Sequence, residues 1–465
     1  YVELHQELFW TAAGATYRKA GGYARIATLL KQIRAERPGA VLALDNGDTI
    51  HGTYPAVETR GEALVPLLNA LGFAAMTAHW EFAYGPAQLR KVAGELRYPL
   101  LATNVYDKAT GEHAFESRRI YEVAGLRVGV AGIASNIVDK TMPPHFSEGL
   151  RFTLGKNELA EAVARLREQE HVDLVVVLSH LGFPQDMQLA EDVSGVDVLL
   201  GSHTHNRLYR PVIVGRTVLI QSGSHGSFLG RLDVSVDGGR VTGVDHRLIT
   251  VGEEIAPDPA MQALVDDVMR PYRAELERVV GRTATALNRN TMLESTMDNF
   301  LLQSLLEETG AVVAFSNGWR YGAPIPPGPV TMNDLYNIVP MNPPVMTVAL
   351  TGEELREMLE ENLERTLARD PYGQMGGYLK RMAGVKIYAK AENPAGQRIQ
   401  ELYVGDRRIV PAQRYRAAFV TEQGVPARYG AHREDTGVRA VTALERSLAR
   451  RAAVEAELTG SVVLV

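Results

Sequence analysis

Three short, almost wholly apolar segments of this 465-residue chain end abruptly in glycine and polar residues. Val41–Leu44 runs into Asp-Asn-Gly-Asp-Thr, Leu174–Leu178 into Ser-His-Leu-Gly, and Val196–Leu200 into Gly-Ser-His-Thr-His. Apolar runs of this length are typical of parallel strands buried on both faces. The chemistry of an open α/β sheet lies at the carboxyl ends of such strands. The pattern therefore predicts a parallel sheet with a polar site along one edge.

The polar residues at these strand ends are of the types that bind divalent metals. A lone histidine in a loop is most often only hydrogen bonded, but an aspartate or a histidine directly after each of three strands favours a metal site. Asp48 has two carboxylate oxygens and can bridge two ions, and His180 can add a nitrogen ligand. In an extended segment His203 and His205 point the same way, so they can address two ions about 3.5–4 Å apart. His79, after another strand-like segment, is a further candidate.

Composition and charge restrict the class of function. No apolar run approaches the roughly 18 residues that span a membrane. A net charge of −6 without a basic block argues against a nucleic-acid groove. The chain has no cysteine, so disulfides and thiolate ligands are impossible. This suits an exported protein, and we expect a periplasmic or secreted location, with the cytoplasm as the alternative.

The order of segments indicates more than one domain. Strand-like and helix-like segments alternate in the first half and finish in a predicted hairpin of Leu232–Val236 and Arg240–Leu248, which together predict an α/β fold with mixed sheets. Asp258 and Pro259 are a helix N-cap and first residue, and Pro271 interrupts the amphipathic pattern that follows. We expect three parts: a catalytic domain at 1–255, a connecting helix at 256–281 and a second domain at 282–465.

Four motifs in a fixed order resemble those of the dinuclear metallophosphoesterases, most closely the 5′-nucleotidase branch. They are Gly-Asp-Thr at 47–49, His-Trp-Glu-Phe at 79–82, Ser-His-Leu-Gly at 179–182 and Ser-His-Thr-His at 202–205. Ser-Asn-Gly-Trp-Arg at 316–320 and Gly-Gly-Tyr-Leu-Lys-Arg at 376–381 are similar to the C-terminal half of that branch. The resemblance implies a layered metallophosphoesterase-type domain with mixed β-sheets, followed by a C-terminal α/β substrate-binding domain.

The same resemblance implies two divalent metal ions (Mn, Zn, Fe or Co) and a role for each matching residue. The metal ligands would be Asp48, His79, His180, His203 and His205, with Asp48 bridging the ions and His205 serving the second one. Asn104 would hydrogen-bond the phosphate. The substrate contacts would come from Asn317, Arg320, Arg381, Trp319 and Phe419, the arginines as forked anion donors and the aromatic rings as base-stacking surfaces. The implied reaction releases nucleoside and phosphate from a nucleoside monophosphate through a hydroxide that bridges the ions.

The first metal motif departs from the family pattern. The branch usually begins with Asp-x-His at the end of its first strand, whereas this chain offers Glu3-Leu4-His5 with two residues ahead of it. Two alternatives stay open: His5, with or without Glu3, supplies ligands, or the pair belongs ahead of Tyr1 and is missing here. A second departure is that His79 stands where the family has an asparagine.

The third departure concerns the leaving group. Trp80 stands where nucleotidases have a histidine that assists the leaving group, and Ala83 stands where they have its aspartate partner. An indole cannot transfer a proton at neutral pH, and a general acid is typically worth roughly 10²–10⁴-fold. His-Trp-Glu is also similar to the sulfur-oxidation thiosulfohydrolases, which implies release of sulfate from a cysteine-bound carrier as an alternative. A metal-stabilised binding protein without activity is the other alternative.

Overall fold

The computed structural model of this protein describes residues 1–465, which divide into two units. The first unit comprises Tyr1–His5 and Lys19–Pro271, and the second comprises Gln6–Arg18 and Tyr272–Val465. Both contain helices and mixed β-sheets, which confirms the predicted α/β class. None of the helices combines the length and the apolar character that a membrane crossing requires.

The elements up to residue 271 alternate as the sequence predicts. The strands are β1 (His5–Thr11), β2 (Gly14–Ala20), β3 (Leu44–Asp45), β4 (Ala75–Met76), β5 (Val105–Asp107), β6 (Arg118–Val123), β7 (Leu126–Ile133), β8 (Leu150–Phe152), β9 (Leu174–Ser179), β10 (Val198–Gly201), β11 (Val212–Val214), β12 (Thr217–Gln221), β13 (Phe228–Asp237) and β14 (Arg240–Thr250). The helices are α1 (Tyr23–Glu36), α2 (Tyr54–Glu58), α3 (Val65–Leu71), α4 (Pro86–Glu95), α5 (Val138–Thr141), α6 (Lys156–Glu168), α7 (Phe183–Asp192) and α8 (Pro259–Met269). Short 3₁₀ turns cover Glu62–Leu64, Trp80–Tyr84 and Pro144–Phe146.

The main sheet of the first unit has the strand order β11-β12-β10-β9-β7-β6. Its four central strands are parallel, and the edge strands β11 and β6 are antiparallel to their neighbours. Successive residues of β9 face two different cores: Val175 and Val177 join the core that includes α6 and α7, whereas Val176 and Leu178 join the core that includes β13. A strand buried on both faces needs the continuous apolar sequence that predicted it.

Two boundaries in the first unit differ from the pattern of the sequence. Of the run Val41–Leu44 only Leu44 lies in a strand, the two-residue β3, which pairs in parallel with β4. Helix α8 begins as expected, with Asp258 accepting a hydrogen bond from the Met261 N–H at 3.0 Å. It packs against α1 and α3 within the first unit, and the two units meet in sequence at Pro271.

The second unit contains two larger sheets. Its helices are α9 (Arg273–Leu276), α10 (Thr296–Thr309), α11 (Met332–Ile338), α12 (Gly352–Leu367), α13 (Thr421–Gly424) and α14 (Ala440–Ala449). Its strands are β15 (Val279–Thr283), β16 (Val313–Gly318), β17 (Gly328–Thr331), β18 (Pro344–Thr351), β19 (Tyr378–Ala383), β20 (Val385–Ala389), β21 (Ile399–Val404), β22 (Arg407–Arg408), β23 (Arg414–Val420), β24 (Ala431–Arg439) and β25 (Val462–Leu464). One sheet has the order β19-β16-β23-β18-β24 and the other β22-β21-β20-β25.

The last helix is shorter than its composition predicts. The Ala- and Arg-rich sequence predicts a helix over Val438–Leu458, but α14 ends at Ala449. Val454 instead forms a parallel bridge with Thr283. This long-range pairing overrides the local helix propensity, which is a weak preference.

Candidate metal centre

Asp48 lies in a tight turn that follows β3. The carboxylate of Asp45 accepts hydrogen bonds from the Gly47 N–H at 3.0 Å and from the Thr49 hydroxyl at 2.7 Å. Gly47 has φ of 84°, and a Cβ there would lie 2.7 Å from the Thr77 carbonyl oxygen, so only glycine fits. Asp48 itself has φ of 60°. A left-handed backbone at a non-glycine residue is strained, and such strain is concentrated at functional sites.

The structure brings Asp48 together with three of the predicted histidine ligands. Four residues place their ligand atoms within 4.8 Å of one another: Asp48, His79, His180 and His203. Asp48 Oδ1 is 3.2 Å from His79 Nδ1, and Asp48 Oδ2 is 3.2 Å from His180 Nε2. The His203 ring lies 4.8 Å from the His79 ring and 5.4 Å from the His180 ring, centroid to centroid. This group is called the first cluster below.

The orientation of His180 is fixed by hydrogen bonds behind the ring. Its Nδ1 contacts the Asn46 carbonyl oxygen at 2.5 Å, and because a carbonyl only accepts, Nδ1 carries the proton. The Ser202 hydroxyl lies 2.8 Å from the same nitrogen. Because Nδ1 donates to this carbonyl, Nε2 is the nitrogen that faces Asp48 and is available to a metal ion, the arrangement usual for metal-binding histidines.

Glu81 joins the turn of Asp48 to the loop of His79. Its Oε2 accepts from the His79 N–H at 2.8 Å, and its Oε1 accepts from the Thr49 N–H at 2.6 Å and the Ile50 N–H at 3.3 Å. Glu81 is only 1% exposed. The glutamate of His-Trp-Glu-Phe thus braces two ligand loops and is not itself part of the cluster.

The electrostatics of the first cluster favour a cation. Burial raises the pKa of Asp48, but the neighbouring His180 and His79 outweigh it and hold the pKa well below its usual range. Burial lowers the pKa of His180, but the Asp48 carboxylate outweighs this and raises it to about 9. Because a ligand nitrogen must be unprotonated, binding of a divalent ion here would release that proton. One carboxylate and three buried imidazoles fit Mn, Fe, Co or Zn.

His205 lies outside the first cluster and beside a second set of imidazoles. Its ring centroid is 5.9 Å from that of His225, which in turn is 5.9 Å from that of His5. His5 Nδ1 contacts the Glu3 carbonyl oxygen and His5 Nε2 contacts the Ser227 hydroxyl, each at 3.0 Å. The Glu3 side chain is not part of the first cluster, and Glu3 lines a surface pocket with Val2 and Leu4.

Asn104 takes a different place from the one that the family resemblance implies. Its amide nitrogen donates to the carbonyl oxygens of Ala134 and Thr153, at 2.9 and 3.2 Å, and its amide oxygen accepts from the Ala134 N–H at 2.9 Å. Asn104 is fully buried. Its side chain therefore holds loops together and has no face turned to a phosphate.

Trp80 is part of an aromatic stack next to the first cluster. Its indole lies parallel to the His51 ring, with centroids 4.7 Å apart and planes 9° apart, and His51 Nδ1 is 3.2 Å from the Tyr84 hydroxyl. Burial lowers the pKa of His51 to about 4, so the imidazole is neutral at pH 7. Ala83 is buried at 2% exposure. No carboxylate replaces the aspartate that nucleotidases have there.

In the second unit, Arg381 is a structural residue and not a substrate donor. Its Nε pairs with Asp298 Oδ2 at 3.0 Å, and its other nitrogens donate to the Met292 and Thr291 carbonyl oxygens. The other oxygen of Asp298 pairs with Arg289 at 2.9 Å. Arg381 is 2% exposed and Asp298 is fully buried. Every side-chain nitrogen of Arg381 thus donates to a group of the protein interior, which corrects its predicted role.

The other predicted substrate residues divide between core and partly exposed positions. Phe419 is 2% exposed within β23 and belongs to the hydrophobic core, so it is not a stacking surface. Trp319 is 4% exposed and donates its indole N–H to Gln423 Oε1 at 3.1 Å. Arg320 and Asn317 are half-buried. Arg320 donates to the Gly377 carbonyl oxygen at 2.8 Å.

Two residues near the candidate ligands carry signals that the sequence-based choice of residues missed. His225 follows β12 in Ser-Gly-Ser-His-Gly, the same strand-end pattern that singled out His180 and His203. His51 stands three residues after Asp48 in the same loop. A search for every histidine within a few residues of a parallel strand end would have found both.

Known proteins resemble this chain in sequence and in fold. The family described as 5′-nucleotidase, C-terminal domain, matches residues 277–421. The chain is 26% identical to the trifunctional nucleotide phosphoesterase YfkN of Bacillus subtilis over 82% of its own length, and it spans 29% of that protein.

Two solved structures from Thermus thermophilus resemble nearly the whole chain. The sulfate thiohydrolase SoxB, in complex with glycerol, is 28% identical with a TM-score of 0.91, covering 96% of this chain and 83% of that one. A 5′-nucleotidase precursor shares the fold at 24% identity with a TM-score of 0.86, covering 99% and 97%. Together with the match of residues 277–421, these likenesses support the resemblance to the 5′-nucleotidase branch of the metallophosphoesterases.

Proposed function

We propose that this chain is a dimetal-dependent hydrolase of phosphate monoesters that acts on nucleoside monophosphates in the manner of a 5′-nucleotidase. The observation that carries the proposal is the first cluster, in which Asp48, His79, His180 and His203 place their ligand atoms within 4.8 Å of one another. One carboxylate and three imidazoles are a suitable donor set for borderline divalent ions. The match of residues 277–421 to the 5′-nucleotidase C-terminal domain and the similarity to a nucleotide phosphoesterase support a phosphate ester as the substrate.

In the reaction, the residues of the protein itself hold and orient the reacting groups. Two divalent ions, when bound, supply activation of water and polarisation of the ester oxygens. Asp48, kept ionised by His79 and His180, offers one oxygen to each side of the cluster. Glu81 fixes the backbone on both sides of this pair. Because these contacts exist before substrate arrives, little reorganisation is needed during the reaction.

The surroundings of Trp80 bear on the leaving group. The Trp80 indole cannot transfer a proton, and the neutral His51 stacked on it is a poor acid at pH 7. The protein thus offers no obvious proton donor at the position where nucleotidases have one. We infer that weakly basic leaving groups are hydrolysed faster than alkoxides.

A second candidate is a thiohydrolase that releases sulfate. The likeness to the sulfate thiohydrolase SoxB, with a TM-score of 0.91 at 28% identity, favours it. A thiolate leaving group needs less help from a general acid than an alkoxide, which agrees with Trp80 and Ala83 in place of the acid pair. This observation gives the alternative weight beside the phosphate ester.

We infer that the second unit contributes to substrate selection through Arg320 and Asn317. Both are half-buried, in contrast to Arg381 and Phe419. A guanidinium is a forked donor suited to anionic or carbonyl-rich groups.

A release assay tests the proposal and its alternatives. The purified chain is loaded with Mn²⁺, Zn²⁺ or Co²⁺ and incubated with nucleoside monophosphates, an aryl phosphate and a thiosulfonate. Release of phosphate from the nucleotides, lost in Asp48→Asn, supports the proposal. Release of sulfate alone would replace it with the thiohydrolase, and two tightly bound ions without turnover would indicate a binding protein.

We also infer a location outside the cytoplasm, in the periplasm or secreted. The support is the complete absence of cysteine from 465 residues, which suits an oxidising compartment. Fractionation of the native cells with an antibody against the protein tests it, and recovery in the cytoplasmic fraction would contradict it.

A further inference from the structure

We propose that Tyr378 is a positioning residue for substrate selection, and that its ring holds the guanidinium of Arg320 in place to bind the leaving portion of the substrate. The inference rests on the proposed role of Arg320 and deepens it, because it names the side chain that orients this arginine. Three features carry it: the contacts of the Tyr378 ring, the anchoring of the loop that contains Arg320, and the close approach of two glycine-containing segments.

The half-buried ring of Tyr378 lies against two guanidinium groups. Arg320 Cζ is 5.1 Å from the ring centroid, and Arg381 Cζ is 5.3 Å from it. The π-electrons of a tyrosine ring attract cations at such distances. At the far end of the ring, the Tyr378 hydroxyl donates to Asn290 Oδ1 at 3.1 Å. The ring is therefore held both through its π-electrons and through its hydroxyl.

Arg381 gives the Tyr378 ring a fixed neighbour. Its Nε pairs with Asp298 Oδ2 at 3.0 Å, and its other two nitrogens donate to backbone carbonyl oxygens. Arg381 is 2% exposed and Asp298 is fully buried. The guanidinium of Arg381 cannot move without breaking a buried ion pair, which is strongly unfavourable. The position of the ring is thus set from the interior of the unit.

The loop that contains Arg320 is anchored to the same buried carboxylate. The rings of Trp319 and Tyr321 stack with centroids 5.5 Å apart and planes 23° apart. The Arg289 guanidinium lies over both rings, at 5.7 and 5.3 Å from their centroids, and pairs with Asp298 Oδ1 at 2.9 Å. The residues on either side of Arg320 are therefore fixed through one oxygen of Asp298, and the ring that contacts its guanidinium through the other.

Glycine allows the two segments to approach each other closely. Gly318 pairs with Tyr378 across β16 and β19, and a Cβ at Gly318 would lie 2.4 Å from the Tyr378 carbonyl oxygen. Arg320 donates to the carbonyl oxygen of Gly377, the residue before Tyr378, at 2.8 Å. The segments 316–320 and 376–381, which the sequence analysis identified separately, thus meet at the contact between Arg320 and Tyr378.

Holding a guanidinium before substrate arrives strengthens substrate binding. An arginine side chain has many rotamers, and fixing it only when substrate binds weakens the affinity. A ring that already restricts these rotamers reduces that loss. The effect belongs to the binding of the leaving portion and not to the chemical step at the metal ions. Loss of the ring should therefore change KM and leave kcat nearly unchanged.

Steady-state kinetics with a nucleoside monophosphate and a small aryl phosphate tests the proposal. Tyr378→Leu should raise KM for the nucleotide by roughly 3- to 30-fold, the range of a partly buried cation–π contact. The kcat values and the KM for the aryl phosphate should stay nearly unchanged. Tyr378→Phe keeps the ring and removes only the hydroxyl, so it should restore KM for the nucleotide close to that of the unmodified chain.

Tyr388→Leu is the matched control for the loss of a tyrosine ring. Tyr388 is also half-buried in a strand of the second unit, β20, and has Lys386 Nζ 5.5 Å from its ring centroid. It lies in the other large sheet, away from Arg320. This variant should leave KM for both substrates unchanged. A rise in the nucleotide KM equal to that of Tyr378→Leu would overturn the inference.

A double variant decides whether Tyr378 acts through Arg320. Tyr378→Leu combined with Arg320→Ala should have the nucleotide KM of Arg320→Ala alone, because the ring then has no guanidinium to hold. Increases in KM that multiply in the double variant would overturn the inference, as would an equal fall of kcat on both substrates in Tyr378→Leu.

Thermal melts of all variants come first, and Tyr378→Phe continues the test if Tyr378→Leu does not fold. In that case a KM for Tyr378→Phe as high as that of Arg320→Ala would overturn the inference, and a KM like that of the unmodified chain would support it. Failure of the unmodified chain to hydrolyse the nucleotide would instead overturn the proposed function.

Discussion

The backbone N–H of Trp80 donates a hydrogen bond of 2.9 Å to Oδ1 of Asp48. The residue at which the chain departs most from a nucleotidase is thus tied to the central carboxylate by its main chain. The side chain at position 80 can change without loss of this bond, because the bond uses only the backbone N–H. The loop can therefore hold Asp48 in place whether or not it carries a leaving-group acid.

Asp48→Asn should abolish turnover and reduce the metal bound per chain from two to one or none. The amide has one neutral oxygen in place of two that share a negative charge, so it cannot bridge cations as well. Metal analysis after desalting and the phosphate-release assay measure both effects. Retention of two ions with full turnover would show that Asp48 is not a ligand.

Glu81→Ala should lower stability by about 2–3 kcal/mol, because the variant leaves the N–H groups of His79, Thr49 and Ile50 without their acceptor. Thermal unfolding of the metal-free protein measures the loss. Glu81→Gln is the control, since its amide oxygen still accepts at one side. If Glu81→Ala is as stable as the unmodified chain, Glu81 does not brace the loops of Asp48 and His79.

Arg381→Ala and Arg320→Ala should have different effects on stability and on KM, although the sequence predicts the same role for both arginines. Removing Arg381 leaves Asp298 buried with one fewer partner, and breaking such a pair typically costs about 3–5 kcal/mol. Arg320→Ala should leave stability nearly unchanged and raise KM for nucleotides more than for small aryl phosphates. Thermal unfolding and KM for both substrate types distinguish them, and equal loss of stability in both variants would contradict the assignment.

Stability should depend on pH through Lys380, which donates to the carbonyl oxygens of Gln423 and Gly424 at 2.6 and 2.7 Å. Burial lowers its pKa from 10.5 to about 7. Between these values the unfolded chain binds a proton that the folded chain does not. Stability therefore rises with pH across this window, by about 1.4 kcal/mol per pH unit from this group, and is lost as the pH falls toward 7.

The matched variant for this effect is Lys380→Met, which keeps the length of the side chain and removes the titrating group. As the pH rises from 7.5 to roughly 9.5, within this window, the melting temperature of the unmodified chain should rise relative to that of the variant. If the melting temperatures of the two proteins change with pH in parallel, Lys380 keeps its ordinary pKa.

The sequence predicts best what depends on burial along a single strand. The predicted strand Leu174–Leu178 lies within β9, because a strand covered on both faces must be apolar throughout. The positions of Asp48 and the histidines follow from the same strands. The structural role of Arg381 does not follow from these strands, because it depends on Asp298, 83 residues away in the chain. Contacts of this kind leave no periodic pattern in the sequence.

The leaving group provides the sharpest test of how the site works. With Trp80 and Ala83 in place of an acid pair and a neutral His51 beside them, the rate should depend steeply on the pKa of the leaving group. Aryl phosphates, which expel a weakly basic phenolate, should be hydrolysed far faster than nucleoside monophosphates. The double variant Trp80→His with Ala83→Asp should raise the rate for nucleotides by up to about 10²-fold and leave aryl phosphates nearly unchanged.

Two controls make that result interpretable. Ala83 is 2% exposed, so an aspartate there is buried and a thermal melt must first show that the double variant folds. His51→Gln in the unmodified background tests the remaining imidazole of the stack. If His51 supplies no proton, this variant should keep the same slope of rate against leaving-group pKa. A slope that is already flat in the unmodified enzyme, and steep in His51→Gln, would show instead that His51 is the acid and that its stacking on Trp80 is how the chain compensates for the missing pair.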